Sequence, residues 1–578
     1  MASSLRLDDA LRSAAQAYLK PPGFRPFYGT AGYRALAPLL PSTVFRCGVL
    51  MAVRSLLLDA PTGICITASH NPAPDNGVKL VEPTGEMLTR SWEAHADSLA
   101  CAESTEAFLA AFAALLEAEG IVLPPSSSSQ SHAGVYIAHD TRPSSPGLAE
   151  AARVGAAALG VPTHDLGLLT TPQLHWAVAR TAPGEHFNED DYFAELAGAY
   201  AALVSRAATG GGAEPADGGA EPADVSVTGR APLPSTPTVL HVDCANGVGA
   251  PKLLALADRC TAAGLHLTLH NTGEGALNGR CGADFVQKAR LLPDGLEGAG
   301  PSYPCCSLDG DADRIVFFVP GTGAGLTLLD GDRIAALAAL LCADLAAALP
   351  RGLSPAIGVV QTAYANGAAT RYLTEALRLP VTVTPTGVKH LHAAAHAHDV
   401  GIYFEANGHG TVLFAPAYLL RLKEFVQAGA NADDEDPTIA RAVESGRDLL
   451  ALSLLVNQTV GDALSILLLV VVALRRRGWT LEDWAGIYRD LPSRQSVRSV
   501  ADRSVIVTAD AERRVARPAA LQPAIDAAVA AAPQGRAFVR PSGTEDVVRI
   551  YAEAATQEDA DALAAEVSDL VALHAGGL

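Results

Sequence analysis

A chain of 578 residues, 49% of them hydrophobic and 18% charged, is too long for one hydrophobic core and too apolar to be disordered, so about three to five folded domains are expected. A formal net charge of −20 excludes nucleic acid as the natural partner, because a phosphate backbone asks for a basic face; a small phosphorylated ligand held by a few arginines stays open. Nine cysteines with irregular spacing and no CxxC pair exclude a disulfide framework or a zinc-finger pattern and suit reduced thiols in the cytoplasm.

The N-terminus, MASSLRLDDALRSAA, carries no apolar run of the signal-peptide kind. Phe27-Tyr-Gly-Thr-Ala-Gly-Tyr-Arg34 is a glycine-punctuated loop ending in an arginine. Gly63-ICITASHNPAPDNGVKLVE then runs from an apolar strand through a polar loop into a second strand. Ser69 sits in that loop beside His70 and Asn71, and Lys79 lies on the returning strand. A serine hydroxyl is a weak nucleophile and needs activation or a phosphoryl group already attached. A neighbouring imidazole and amide can orient it, and the return of the strand can bring Lys79 back. The same residues also suit an ordinary Asn-Pro turn.

PPSSSSQSH, ending at His132, reads as a surface insertion. Gly134-VYIAHD is a buried strand, His139-Asp-Thr-Arg142 closes it, and Leu148–Leu159 follows with helical spacing. A second insertion is expected over about 208–237, where AEPAD occurs twice; Pro, Gly and acidic residues there have no apolar partners to bury. Thr238-VLHVD is a strand, CANGVGA a small-residue turn and Pro251–Ala263 a helix.

Ser302-YPCCSLDGDADRIVFFV places a polar loop between apolar runs. In Asp309-Gly-Asp-Ala-Asp-Arg314, three carboxylates alternate with small spacers and can point at one hard cation such as Mg2+. An EF-hand needs Gly at the sixth position and Glu at the twelfth; Arg314 and Pro320 stand there, and a strand follows. A solvated acidic turn leaves three clustered charges repelling one another. An aspartyl-phosphate enzyme using Asp309 as nucleophile remains an alternative.

Pro355-AIGVVQTAYANGAATRYL is again strand, loop and helix. Thr386-Gly-Val-Lys-His390 opens a histidine-rich stretch. His392 and His396 can share a helix face, but no carboxylate or thiol completes a zinc set, and a solvated face is expected for them. Lys389 and His390 are expected to meet an anionic substrate. Phe404-Glu-Ala-Asn-Gly-His-Gly410 offers a carboxylate and an amide suited to sugar hydroxyls. Ile466–Leu474 is far shorter than the ~20 residues that span a bilayer and reads as a buried helix. Arg540-Pro-Ser-Gly-Thr-Glu-Asp-Val-Val-Arg549 puts two forked cations around a donor-rich turn, which suits phosphate. The repeated alternation of strand and helix implies α/β domains with ligand loops at strand ends.

TASHNP, DGDADR, FEANGHG and RPSGTEDVVR, in this order, resemble the phosphohexomutase superfamily. Its members share a phosphoserine loop, a three-aspartate metal loop, a sugar-reading loop and a C-terminal phosphate loop. The longer wording (TASHNPAPDNGVKLVEPTGEML, TPTGVKHLH, IYFEANGHGTVLF, NQTVGDA and AFVRPSGTEDVVRIYAEA) is similar to the eukaryotic-type phosphoacetylglucosamine mutase family. The resemblance runs from about Phe24 to about Leu570, interrupted by the two insertions. Ala138-His139 departs from the Gly-Arg expected before Asp-Thr-Arg.

The resemblance implies an α/β fold of four domains around a central cleft, three similar mixed α/β domains and a smaller C-terminal α+β one. These would be 1–183 with the serine loop, 184–318 with the metal loop, 319–455 with the sugar loop and 456–578 with the phosphate loop. It implies an isomerase that interconverts N-acetylglucosamine 6-phosphate and 1-phosphate through a 1,6-bisphosphate, feeding UDP-N-acetylglucosamine synthesis. Ser69 would be the phosphoserine and a fourth protein link to Mg2+ beside Asp309, Asp311 and Asp313. Glu405, Ala406, Asn407 and His409 would read the sugar. Arg540, Pro541, Ser542, Gly543, Thr544 and Arg549 would hold the idle phosphate. The proton acceptor stays open between Lys79 and His70, with Arg34 steadying charge. The expected partner is a small sugar phosphate, with no membrane and no obligate protein partner. The rival readings are a mutase for another hexose phosphate, a metal-dependent phosphatase and a non-catalytic binding protein.

Overall fold

The computed structural model describes residues 2–123, 132–181, 185–208, 238–300, 303–321, 325–430, 436–542 and 545–576. The expected insertions fall almost wholly outside them, at 124–131 and 209–237. The described residues divide into two compact units. One runs to 208, resumes from 238 to Leu328 and takes in Ala451–Gly478; the other holds Leu329–Leu450 and Trp479 onward.

The first unit contains two mixed sheets. In one, β1 (Tyr33–Leu36), β2 (Pro61–Ile66), β3 (Asp75–Val81), β4 (Gly134–His139) and β5 (Thr163–Leu168) lie in the order β1-β3-β2-β4-β5. β2, β4 and β5 run parallel, and β3 is antiparallel to both neighbours. The runs GICI and VYIA are apolar on both faces because helices cover both. Ile64, Ile66, Val135 and Ile137 join the core under helices Pro41–Leu58 and Ser145–Ala157. The intervening Cys65, Tyr136 and Ala138 join a second core with Leu174 and Val178 of helix Thr171–Arg180. Helix Pro41–Leu58 is long and apolar enough to cross a membrane, yet 72% of its window is buried in this core. Each such buried aliphatic side chain contributes roughly 1.5–3 kcal/mol.

The second sheet orders β6 (Thr238–Asp243), β7 (Leu265–His270), β8 (Cys305–Leu308), β9 (Ile315–Pro320) and β10 (Leu326–Leu329) as β10-β9-β8-β6-β7. β6 is parallel to β7 and β8, while β8 and β9 form an antiparallel pair.

The expected boundary at 456 does not coincide with the division into units, because Ala451–Gly478 packs with the first. Its helix Ala463–Arg477 contains the run Ile466–Leu474 and is buried all round over Ala463–Ala473, so it needs partners on every side. Asp462 caps it through Leu464 N and Ser465 N and takes the hydroxyl of Tyr192 at 2.8 Å. Ala463 N donates to Ala312 O at 3.0 Å, so this segment also braces the aspartate loop.

The second unit holds a sheet of β11 (Ile357–Thr362), β12 (Val381–Thr384), β13 (Val400–Phe404) and β14 (Gly410–Phe414), ordered β12-β11-β13-β14. β11 is parallel to β12 and β13, and β14 is antiparallel to β13. The C-terminal part has β15 (Ser493–Ser499), β16 (Val507–Ala509), β17 (Arg514–Arg517), β18 (Arg536–Pro541) and β19 (Val547–Glu553). β15-β19-β18 is an antiparallel sheet whose core includes Leu521 and Ile525 of one helix and Leu563 and Val567 of another; β16 and β17 pair separately. This is the α+β character expected there.

One relation holds in both units. Each of the four motifs lies on the connection between two antiparallel strands: β2/β3, β8/β9, β13/β14 and β18/β19. Rigid, apolar strands thereby present short polar loops.

Candidate active site

In the first unit the serine and aspartate loops meet. Ser69 has φ 49, a left-handed conformation that is costly for a residue with a side chain. Its surroundings over-determine it. Ser69 N donates to Thr67 Oγ1 at 3.0 Å, and Ser69 O accepts from Arg142 Nη2 at 3.2 Å and Asn278 Nδ2 at 2.9 Å. The same two side chains hold Asn71 O at 2.6 and 3.1 Å. Arg142 is buried, paired with Asp140, which also takes Ser145 Oγ at 2.7 Å. So held, Ser69 Oγ donates to Asp311 Oδ2 at 3.1 Å and accepts from Arg34 Nη2 at 3.3 Å. The approach is close enough to demand glycine at 310, where a Cβ would stand 2.6 Å from Ser69 O.

Asp309, Asp311 and Asp313 are buried, and one oxygen of each lies within 4.8 Å of the others'. Asp309 Oδ2 and Asp311 Oδ1 accept no hydrogen bond from any described residue. Arg314 Nε stands 3.7 Å from Asp309 Oδ2, an ion-pair distance beyond a hydrogen bond, and buried carboxylate oxygens without a hydrogen-bond donor fit a hard divalent cation. Lys79, on β3 opposite Cys65, reaches Asp311 Oδ2 at 2.7 Å and Asp313 Oδ2 at 2.6 Å. Thr171 adds its hydroxyl to Asp311 Oδ2 at 2.6 Å and its N–H to Asp311 O at 3.2 Å.

The electrostatics follow from these contacts. Burial, with Asp313 and Asp311 alongside, pushes the Asp309 carboxyl well above the usual range despite Arg314. Burial and Asp313 also work to raise Asp311, but Lys79 and the bonds from Lys79 and Thr171 prevail and hold it low. Burial opposes the charge on Lys79, but Asp311 and Asp313 outweigh it and raise the ammonium above its ordinary value. The two carboxylates thus draw Lys79, one of the two expected proton acceptors, toward its charged form. His70 is the reverse case. Burial, then Arg314 and Arg34, bring its pKa down to about 3, so the ring is neutral. Its Nδ1 is buried and bonded to no described residue.

In the second unit, Glu405, Ala406 and Asn407 are half-buried at the β13/β14 turn, and His409 is buried. Asn407 Nδ2 donates to Glu405 Oε2 at 3.3 Å and His409 N to Asn407 Oδ1 at 2.9 Å. Gly331, opening helix Gly331–Ala346, abuts this turn; a Cβ there would sit 1.8 Å from Glu405 O. Lys389 and His390 lie half-buried in the first turn of helix Val388–Ala395. His392 corrects the expectation of a solvated face: it is buried against β13, with Nδ1 3.0 Å from Tyr403 Oη and Nε2 3.1 Å from His396 Nε2.

Arg540 and Arg549 are register partners across β18 and β19. Like charges directly opposite one another destabilise a sheet unless an anion lies between or beside them. Tyr364 stands within electrostatic reach of both; burial raises its phenol and the two arginines oppose that. Its ring stacks edge-on against Phe538 at 5.0 Å. Ser542 is buried next to Pro541 and its N–H donates to Val547 O at 2.9 Å. Gly543 and Thr544 lie outside the described residues.

Several contributors escaped the sequence reading. Arg314 had a signal, since it directly follows Asp313. Thr171 had half of one: Thr170-Thr-Pro-Gln173 is a legible capping box, but nothing local aims Thr171 at an aspartate. Asn278 belongs to no motif.

Comparison with known proteins matches these units to four family models. Residues 48–105 and 99–185 match phosphoglucomutase/phosphomannomutase, alpha/beta/alpha domain I. Residues 232–316 and 330–479 match phosphoacetylglucosamine mutase AMG1, domains II and III. Residues 499–570 match the phosphoglucomutase/phosphomannomutase C-terminal domain. The pig phosphoacetylglucosamine mutase is 43% identical over 574 residues, 99% of this chain and 98% of that one. The crystal structure of Aspergillus fumigatus N-acetylphosphoglucosamine mutase with GlcNAc-6P and magnesium is 40% identical, with a TM-score of 0.83 over 98% of each chain. A serine-to-alanine variant of that enzyme with glucose 1,6-bisphosphate is similar at 39% identity, with a TM-score of 0.83 over 98% of each chain.

Proposed function

Since the chain belongs to the phosphoacetylglucosamine mutase family of phosphohexomutase enzymes, we propose that it interconverts N-acetylglucosamine 6-phosphate and N-acetylglucosamine 1-phosphate through a phosphoserine at Ser69. The observation that carries this reading is the Ser69 hydroxyl, 3.1 Å from Asp311 in a backbone conformation its neighbours enforce. The fungal relative's complexes with a hexosamine phosphate and with a hexose bisphosphate support the substrate class.

The two substrates carry phosphate at opposite ends of the sugar, so one fixed site needs a relay. Phospho-Ser69 transfers its phosphoryl group to the free hydroxyl: the Oγ–P bond breaks, an O–P bond to the sugar forms and the hydroxyl proton leaves to a base. The 1,6-bisphosphate turns over, and the other phosphoryl group returns to Ser69 with the proton going back to the sugar oxygen. Of the two candidate acceptors, His70 is the one with a ring nitrogen bonded to no described residue, although burial, Arg314 and Arg34 make it a weak base. Lys79 acts as fixed positive charge, and Arg34, already on Ser69 Oγ, steadies the oxygens in transfer. Asp309, Asp311 and Asp313, with Ser69, would hold Mg2+, which spreads the charge of the transferring phosphoryl group when bound. Glu405, Ala406, Asn407 and His409 read the sugar, and Lys389 and His390 meet its anionic end. Arg540 to Thr544 and Arg549 grip the idle phosphate.

The proposal keeps four domains, with the last division moved from 456 to about 479. It places the reaction in UDP-N-acetylglucosamine synthesis in the cytoplasm, a setting that suits nine unpaired thiols. Phosphorus NMR of the purified protein with Mg2+, a hexose bisphosphate primer and N-acetylglucosamine 6-phosphate tests it. Appearance of the 1-phosphate supports it. Turnover confined to plain hexose phosphates would replace the substrate, and release of free phosphate alone would replace the reaction.

A further inference from the structure

The connection between β16 and β17 turns through Asp510, Ala511 and Glu512, three consecutive non-glycine residues with φ 51, 53 and 67. Left-handed backbone at a residue with a side chain is disfavoured, and a run of three persists only where the surroundings hold it. What the turn presents is the carboxylate of Glu512. Its Oε1 accepts from Arg540 Nε at 2.9 Å, and its Oε2 accepts from Thr386 N at 2.9 Å and Thr386 Oγ1 at 2.5 Å. The Glu512 side chain is 17% exposed and that of Arg540 25%, so the ion pair is partly shielded from water.

This carboxylate joins two stretches far apart in sequence. Arg540 lies near the end of β18, ahead of the donor-rich turn. Thr386 leads through Gly387 into helix Val388–Ala395, whose first turn bears Lys389 and His390. A negative charge inside an anion site would by itself repel the ligand. Here Arg540 neutralises it, and both oxygens are already occupied by donors.

We propose that Glu512 is the positioning residue of the phosphate subsite. It engages the guanidinium of Arg540 at Nε, so that the two Nη groups of the fork face the substrate's idle phosphate, which matches them bidentately. It also locks the Thr386–His390 stretch to that arginine, so that Arg540, Lys389 and His390 meet a hexose phosphate as one preformed cationic surface. Holding the geometry in advance saves the ligand the cost of ordering it. Glu512 touches neither sugar nor phosphate in this role; it acts through Arg540 and Thr386. The inference rests on reading Arg540 as a holder of the non-reacting phosphate.

The test uses the full chain with Mg2+ and a hexose bisphosphate primer. Glu512→Ala removes charge and acceptors, Glu512→Gln keeps length and one acceptor oxygen, and Thr386→Val removes only the hydroxyl. Steady-state kinetics on N-acetylglucosamine 6-phosphate are paired with calorimetric binding of the same compound to Ser69→Ala protein, where turnover is blocked. Glu512→Ala should raise KM and Kd about tenfold while kcat changes less than about threefold, and Glu512→Gln should fall between it and the unaltered protein. Adding Thr386→Val to Glu512→Ala should cost nothing further, because both remove one linkage. Unchanged or tighter binding in Glu512→Ala overturns the proposal, as does a joint fall of kcat and Tm with Kd unmoved, which would mark a merely structural residue. An unaltered protein that neither binds nor turns over the sugar phosphate brings down the functional reading, and this inference with it. A normal unaltered protein beside an unaffected Glu512→Ala overturns the inference alone.

Discussion

The hydroxyl of Ser69 and the carboxylate of Asp311 lie 3.1 Å apart across 242 residues of sequence. Asp311 Oδ2 is shared with Lys79 and Thr171, while Asp311 Oδ1 accepts no bond from the described residues. One carboxylate thus orients the carrier on one side and keeps an oxygen in reserve for a cation on the other.

Asp311→Asn should separate these roles from simple stability. The amide keeps the shape but loses the charge, so Mg2+ affinity should fall at least about tenfold and the rate with it. Calorimetric titration with Mg2+, together with the rate as a function of metal concentration, checks both. Unchanged affinity would remove the aspartate loop from the metal site.

Lys79→Met should strip the fixed positive charge from between two buried carboxylates. Leaving Asp311 without its ion pair should cost about 3–5 kcal/mol in metal-free protein, read as a large drop in Tm. Mg2+ should restore much of the loss, since a ligand of the folded state at a hundred times its Kd stabilises by about 2.7 kcal/mol. A variant as stable as the parent without metal would contradict the clamp.

Arg549→Ala should weaken substrate binding while sparing the fold. It removes one member of the cross-strand pair with Arg540, so stability should stay level or rise by a few tenths of a kcal/mol, about what a like-charge pair costs. KM for the sugar phosphate should rise at least about tenfold. A lowered Tm with unchanged KM would reassign Arg549 to structure.

Asp462 offers a pH test away from the chemistry. Burial raises its carboxyl above the ordinary value, against bonds from Asn457, Tyr192 and two helix N–H groups. A raised folded value means that the folded chain holds this proton more tightly than the unfolded one. Its contribution to stability is therefore full below the unfolded value, about 3.9, and is lost as pH rises through the raised folded value. Asp462→Asn keeps an N-cap of similar quality and should flatten that part of the stability profile, so the variant gains on the parent as pH climbs from 4 toward neutrality. Parallel melting curves across that window would refute the assignment.

Much of this site is written locally. The strand, loop and strand around Ser69 and around Asp309–Arg314 show in the sequence because an apolar run must end before three charges can turn, and Lys79 returns to the serine because β3 folds back on β2. What escaped is what arrives from a distance. Asn278, 209 residues from Ser69, grips the same carbonyl oxygen as Arg142, whose motif was legible but whose target was not. His392 reads as a solvated helix residue until β13 covers it with Tyr403. Helix Ala463–Arg477 follows the sugar loop in the chain yet packs with the first unit, because an all-apolar helix goes where partners surround it. Glu512 stands out only once the turn that aims it is seen.

The most direct measurement is transfer of a phosphoryl group to the protein itself. Dephosphorylated enzyme with Mg2+ is mixed with glucose 1,6-bisphosphate, quenched, digested and mapped by mass spectrometry, with Ser69→Ala run beside it. The account predicts one phosphoryl group on Ser69 of the unaltered chain, lost again when N-acetylglucosamine 6-phosphate is added, and none on the variant. Phosphate on another residue, or isomerisation by Ser69→Ala at the parent's rate, would contradict it.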